Sequence, residues 1–290
     1  MKKYIICITF VYILITQFTN AQGLNNGATI VIESGAKLLI SGGNYTNFGD
    51  ASNNGEIDLD GEIYITGDFV NNAPSGGVFV NRDSDGKVIF NGAGNSIISG
   101  TSPDSILFEN ITVESSATIT NNHLSSIRGD LTLVGADKNI TIGTGNLFVQ
   151  GQIIGTNHSI TAVSEGYLLL NAQASVQRDF PMGDGTNHYT LKIISGIAPT
   201  KAISVRMVEQ SVPGAINDPM LFWDVAGDNN LNATVILRMD KSAIAPKTLN
   251  TNSILRFFDG DEYIPMTEEQ VTINDMGTYY EIEIINVNQF

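Results

Sequence analysis

From Gly23 to about Asn171, short runs rich in Ile, Val, Leu and Phe alternate with polar residues, and each ends at a Gly, Asn, Ser or Asp turn. The runs are Ala28–Glu33, Lys37–Ser41, Glu56–Asp60, Glu62–Thr66, Gly77–Val80, Lys87–Asn91, Ile106–Glu114, Asp130–Val134, Asn139–Gly143, Asn146–Gln150 and Ser159–Val163. Alternation at period two marks a strand with one buried face. In Glu62–Thr66 it sends Ile63 and Ile65 one way and Glu62, Tyr64 and Thr66 the other. By the same rule Val88, Phe90, Leu131, Leu133, Ile140 and Ile142 are expected inside. No amphipathic helix is predicted in this half.

The turns carry asparagine pairs at Asn25–Asn26, Asn53–Asn54, Asn71–Asn72 and Asn121–Asn122, commonly beside glycine. Both residue types enter positive φ easily and so suit tight corners. Longer units align at a spacing of roughly 20 residues, as solenoid repeats do. GEIYITGDFVNN from Gly61, GKVIFNGAGNSIISG from Gly86 and GDLTLVGADKNITIG from Gly129 each read strand, corner, strand. One coil cannot bury its inner face alone, and stacking supplies the neighbours. The reading favoured is a right-handed parallel β-solenoid over residues 22–175. Its rival is an antiparallel sandwich, because Asp-Gly and Asn-Gly also make hairpins.

After Asn171 the pattern changes. Six prolines and the only tryptophan, Trp223, lie here, and the runs lengthen: Tyr189–Ile194, Ala202–Glu209, Met220–Val225, Ala233–Met239, Ile254–Phe258, Gln270–Asn274 and Tyr279–Ile285. These predict a β-sandwich of immunoglobulin-like size over residues 176–290, with Trp223 in its core. The fold class expected is therefore all-β throughout.

The first 21 residues read as an export signal. Lys2 and Lys3 precede an apolar run from Tyr4 to Ile15, and Thr19 and Ala21 place small residues before cleavage at Gln22. A membrane anchor would need ~20 apolar residues, more than this run offers. The sole cysteine, Cys7, lies inside the signal, so a secreted or cell-surface chain without disulfides is expected. The formal charge is −15, and −17 without Lys2 and Lys3. Such a surface repels nucleic acid and anionic lipid.

GKVIFNGAGNSIISG (Gly86–Gly100), ILFENITVESSATITNN (Ile106–Asn122) and GDLTLVGADKNITIG resemble the repeats of large surface proteins exported by Bacteroidota through the type IX system. FPMGDGTNHYTLKII (Phe180–Ile194) and RFFDGDEY (Arg256–Tyr263) are similar to segments that follow such repeats. The resemblance implies a surface scaffold. Proteins of this kind usually continue into a C-terminal sorting domain, and no Lys-rich final strand matching one precedes Phe290.

Candidate chemistry is sparse. Asn81, Asp83 and Asp85, with Gly86 and Val88, match the first two-thirds of a calcium loop, but Gly92 stands where the bidentate Glu belongs. The ordinary alternative is a solvated Asp-Gly corner. Asp58 and Asp60, two apart, have a spacing that two glycosidase acids could use, and Glu281 and Glu283 repeat it; outward-facing acids on a strand are the commoner case. His123, His158 and His188 have no metal-ligand spacing. Tyr45, Phe48, Tyr64 and Phe69 offer either sugar-stacking rings or packing, and Ser105 lies in an Asp-Ser-aliphatic pattern of the kind O-glycosylated in Bacteroidota. Basic residues between Gly23 and Asn171 are limited to Lys37, Arg82, Lys87, Arg128 and Lys138, all isolated in sequence. The expectation is a non-catalytic structural or adhesion protein that presents an extended surface to polysaccharide or cell-surface components. A carbohydrate-active β-helix enzyme is the alternative, since fold alone does not choose.

Overall fold

Three short strands and three corners make one coil, and the coils stack in parallel. The structure, a computed structural model, describes residues 22–290 except 50–53, 82–84, 115–116, 137, 185–186, 212–218, 229, 245–255, 259–262, 268 and 289–290. It divides into two compact units, the first reaching Gly135 and taking in Gln152–Ile154, the second holding Ala136–Gly151 and the chain from Gly155 onward.

The first unit contains five coils. They are β1 (Gly23–Asn26), β2 (Thr29–Ile32) and β3 (Lys37–Ile40); β4 (Tyr45–Phe48), β5 (Glu56–Leu59) and β6 (Glu62–Ile65); β7 (Phe69–Asn71), β8 (Phe79–Asn81) and β9 (Lys87–Phe90); β10 (Asn95–Gly100), β11 (Ile106–Phe108) and β12 (Asn110–Val113); and β13 (Thr118–Asn121), β14 (Ser125–Ile127) and β15 (Leu131–Ala136). The first strands of successive coils pair in parallel to form one face, and the third strands form another. The second face is interrupted, β2–β5–β8 forming one sheet and β11–β14 belonging to another. The parallel solenoid thus prevails over the hairpin alternative. Its inner positions agree with the period-two reading: Ile63, Ile65, Val88, Phe90, Leu131 and Leu133 are all buried.

What aligns the coils is a repeated side-chain device at the corners. Asn44, Asp68 and Asp130 each stand just before a strand, and Asn110 opens β12. The amide of Asp68 donates to Asn44 Oδ1 at 2.9 Å, and that of Ile97 donates to Asp68 Oδ1 at 2.8 Å. Likewise the amide of Asp130 donates to Asn110 Oδ1 at 3.0 Å, and that of Gln152 to Asp130 Oδ1 at 2.8 Å. Corner backbone leaves the ladder, and these side chains satisfy the donors that would otherwise be lost. The glycines before Asp68 and Asp130 follow from the same contact. A Cβ on Gly67 would lie 2.4 Å from Asn44 Oδ1, and one on Gly129 would lie 2.2 Å from Asn110 Oδ1.

Inside, Asn25, Asn47 and Asn71 occupy one register column of the first face and are all buried. Asn47 Nδ2 donates to Asn71 Oδ1 at 3.1 Å, while Asn25 accepts from the amide of Ala28 and donates to the carbonyl of Glu56. The column stops at Gly100, the register partner of Asn71, where φ is +149° and a Cβ would strike the Asn71 carbonyl. Beside it Tyr45, Phe69, Phe79 and Phe108 form a ring cluster with centroids 5.0–5.9 Å apart. Each such pair adds ~0.5–1.5 kcal/mol beyond its buried area.

The second unit begins with β16 (Asn139–Ile142), β17 (Leu147–Val149), β18 (Ile153–Thr156, whose first residues belong to the first unit), β19 (Ser159–Ala162) and β20 (Leu168–Leu170). Parallel pairing continues in β16–β19 and β17–β20, with the predicted inner residues Ile140 and Ile142 buried. The remaining strands are β21 (Gln177–Gly183), β22 (His188–Ile194), β23 (Ile203–Ser211), β24 (Pro219–Ala226), β25 (Ala233–Asp240), β26 (Arg256–Phe258), β27 (Tyr263–Pro265), β28 (Val271–Asp275) and β29 (Tyr279–Val287), with one helical turn, α1 (Lys241–Ile244). The switch to antiparallel pairing occurs here: β21 joins β19 in parallel but β22 antiparallel, and β20 pairs β23 antiparallel. Two antiparallel sheets result, β21–β22–β25–β29–β28 and β20–β23–β24. They pack through Phe180, Met182, Leu191 and Ile193 on one side and Ile203, Val205 and Met207 on the other, all buried, as a sandwich requires. Trp223, opposite Met207 on the edge strand β24, is half-buried rather than enclosed. Arg178 ties the last coils to β21, its Nη2 donating to the carbonyl of Gln150 at 3.1 Å and its Nε to that of Asn171.

Candidate functional site

Stacking gathers what the sequence scatters. On the third face of the first unit, Lys37, Glu62, Lys87 and Asn110 fall into one register row, and Leu39, Tyr64, Ile89 and Thr112 into the next. Both rows point outward, because Ile63, Ile65, Val88 and Phe90 take the inner positions. Adjacent strands lie about 4.8 Å apart, which sets Lys37 and Lys87 about 10 Å apart on either side of Glu62.

The row is bonded within itself. Lys37 Nζ lies 3.0 Å from Glu62 Oε2 and donates to Tyr64 Oη at 3.1 Å, and the Tyr64 hydroxyl donates to Glu62 Oε2 at 2.8 Å. The Lys37 ammonium also sits 5.2 Å from the Tyr64 ring centroid. The hydrogen bond to Glu62 raises the Lys37 pKa above its usual value. The bond from Lys37, with that from Tyr64 and the charge of Lys87, holds the Glu62 carboxyl below its usual range. Ile89 and Thr112 are only 4% and 8% exposed although they face outward. Along their strands they lie between Lys87 and Asn110 on one side and Asn91 and Glu114 on the other, and these outward positions make up one linear track of residues.

The other residues singled out by sequence are dispersed. Asp58 faces outward from β5, its Oδ1 buried and without a hydrogen-bond partner, whereas Asp60 stands beyond the strand end in a corner. Of the calcium loop, Asn81 ends β8 opposite Asp58 and Asp85 is exposed, while Asp83 lies outside the described residues. No group of three or more potential metal-ligating side chains occurs among the described residues. Tyr45 and Phe69 are core residues, while Phe48 is exposed on the first face and Tyr64 half-buried on the third. Ser105 is half-buried just before β11. Glu281 and Glu283 share the outer face of β29, opposite Arg238 and Ile236.

The histidines stay apart from this track. His123 is buried at a corner with Nδ1 and Nε2 each 3.0 Å from a carbonyl oxygen, of Leu124 and Ser102. Burial pushes His158 below the usual imidazole value, with the charge of His188 adding to the effect. On the outer face of the second unit, Tyr167 Oη donates to Asp224 Oδ2 at 2.7 Å, Arg206 Nε donates to the same oxygen at 2.7 Å, and the guanidinium stacks 4.6 Å from the Tyr167 ring centroid. Sequence reasoning missed this trio because Tyr167, just before β20, Arg206 on β23 and Asp224 on β24 are far apart in sequence and meet only through sheet register.

No helix among the described residues is long and apolar enough to cross a membrane. No family model, curated protein or solved structure matches the chain.

Proposed function

We propose that this chain is an exported, non-catalytic surface scaffold whose solenoid holds polysaccharide along the third face. The observation that carries the reading is the Lys37–Glu62–Lys87–Asn110 row beside Tyr64, with the buried Ile89 and Thr112 in the adjacent row. A row parallel to the stacking direction fits a linear polymer better than a small molecule, since solenoids offer extended surfaces. Tyr64 supplies a ring for sugar stacking, and the lysines and Glu62 supply donors and acceptors for hydroxyls. The surrounding negative charge favours neutral over acidic chains. Export rests on the Lys2–Ala21 segment, and a surface location on the resemblance of the repeats.

The alternative reading, a polysaccharide-cleaving β-helix enzyme, draws on the same row, because it sets a carboxylate between two lysines on one solenoid face. Against a general-acid role stands the ion pair, which keeps Glu62 ionised and so without a proton to give. A glycan array run beside a reducing-sugar assay separates the two. Binding without release of new sugar ends, weakened in Tyr64→Ala, supports the scaffold; release that vanishes in Glu62→Gln overturns it.

A further inference from the structure

The first coil is an open end. Among the described residues β1, β2 and β3 are each the terminal strand of their sheet, so no strand covers their outer edges. The consequence shows in the side chains: Ile30 and Leu38 are half-exposed, whereas their register partners one coil on, Ile57 and Ile63, are 0% and 1% exposed. In the second unit β19 lies between β16 and β21 and β20 between β17 and β23, while β18 ends the sheet of the third face.

The chemistry of the open edge can be read residue by residue. The carbonyls of Ala28 and Ile32 accept from Glu56 and Asp60, those of Ala36 and Ile40 accept from Glu62 and Thr66, and the amide of Gly23 donates to Asn44. Backbone groups in a strand alternate sides, so Leu24, Thr29, Val31, Lys37 and Leu39 turn their N–H and C=O groups to the open edge. Leu24, Val31 and Leu39, one on each strand, are also 62%, 57% and 63% exposed. An edge of this kind, flat and apolar, is a template for another strand. Its charge favours a second copy as that partner. Glu33 and Lys37 are the only charged residues from Gly23 to Ile40, so this coil is formally neutral in a chain of −15. Two such ends, each formally neutral, meet without net charge repulsion.

We propose that two copies of this chain join end to end through β1, β2 and β3. A two-fold axis at right angles to the stacking direction runs each strand antiparallel to its mate, a pairing at least as stable as the parallel one it extends. It also buries Ile30 and Leu38 against the facing coil. Because a two-fold contact uses the same edge on both copies, assembly closes at the dimer and does not propagate into a fibre.

The test is sedimentation equilibrium of the purified chain and of the Val31→Pro/Leu39→Pro variant. Proline at these two positions removes edge N–H groups that serve no bond within the coil, and edge strands tolerate it. The expected result is twice the chain mass for the parent and a single chain mass for the variant, with unchanged circular dichroism. A parent that stays monomeric at tens of micromolar, or a variant that stays dimeric, overturns the proposal. Should the variant not fold, hydrogen exchange on the parent decides: protection of the Val31 and Leu39 amides must rise with protein concentration, and concentration-independent exchange refutes the contact.

Discussion

Asn47 donates its side-chain amide to Asn71 one coil further along, 3.1 Å away and wholly buried, so that a polar column runs inside an otherwise apolar stack. Asn71 Oδ1 also accepts from the amide of Ala73, and Asn47 Oδ1 receives the Tyr45 hydroxyl at 3.4 Å. Removing one partner leaves buried polar groups unpaired, which costs ~1–3 kcal/mol. Asn47→Ala is therefore expected to lower the urea midpoint without changing the slope. Asn47→Asp should cost more, because it adds a buried charge with no cation beside it.

The corner device predicts a specific coupling. Gly129→Ala puts a methyl 2.2 Å from Asn110 Oδ1, and overpacking of this kind costs about 1–3 kcal/mol. Asn110→Ala loses the bond from the Asp130 amide but vacates the same space. The double variant should then be more stable than the sum of the two single losses implies, measured by a denaturation cycle. Additive losses would mean that the glycine is not there to admit the asparagine.

Arg178 should matter through its geometry and not through charge alone. Arg178→Lys cannot reach both the Gln150 and Asn171 carbonyls as the planar fork does. Charge-assisted bonds of this type contribute roughly 1.5–3 kcal/mol. Arg178→Lys and Arg178→Ala are accordingly expected to lose similar stability in thermal melts, the lysine recovering little.

Alkaline pH should unfold the chain through its buried tyrosines. Burial pushes the Tyr45 phenol up to about 12, against a small opposing effect of Asn25. Burial also raises Tyr189, with the Asp184 charge adding to it. A raised folded-state pKa means the stabilising form is the neutral one. Its contribution is complete below the unfolded value of about 10 and declines as pH rises toward the folded one. Melting temperature should hold up to about pH 10 and then fall, and Tyr45→Phe should fall less steeply.

Much of this architecture was legible in the chain. Where inner positions are all aliphatic, as at Ile63 and Ile65 or Leu131 and Leu133, period two identifies the strand and its buried face. It fails at Tyr45–Phe48, because the inner residues there are Tyr45 and Asn47, and a buried asparagine looks like a turn. It fails again at Ser125–Ile127, where all three residues are buried and nothing alternates. The track on the third face was hidden for another reason. Glu62 and Lys87 are 25 residues apart in register but Ile111 and Leu131 only 20, so no fixed period brings the scattered lysines together on paper. The passage from parallel to antiparallel pairing at β21 falls where the sequence pattern changes after Asn171, but Gln177–Gly183, with four buried residues in succession, shows no alternation that would mark it as a strand.

The central claim, a linear track and not a pocket, is tested most directly by the chain-length dependence of glycan affinity. Titration calorimetry with oligosaccharides of increasing length, taken from a polysaccharide that binds on the array, is the measurement. The account predicts that affinity climbs with each added sugar until the ligand spans Lys37 to Lys87. It further predicts that Tyr64→Ala and Lys87→Ala flatten that climb without altering the fold. Monosaccharide binding as tight as that of the longest chain, or shortening of the ligand during the titration, would contradict it.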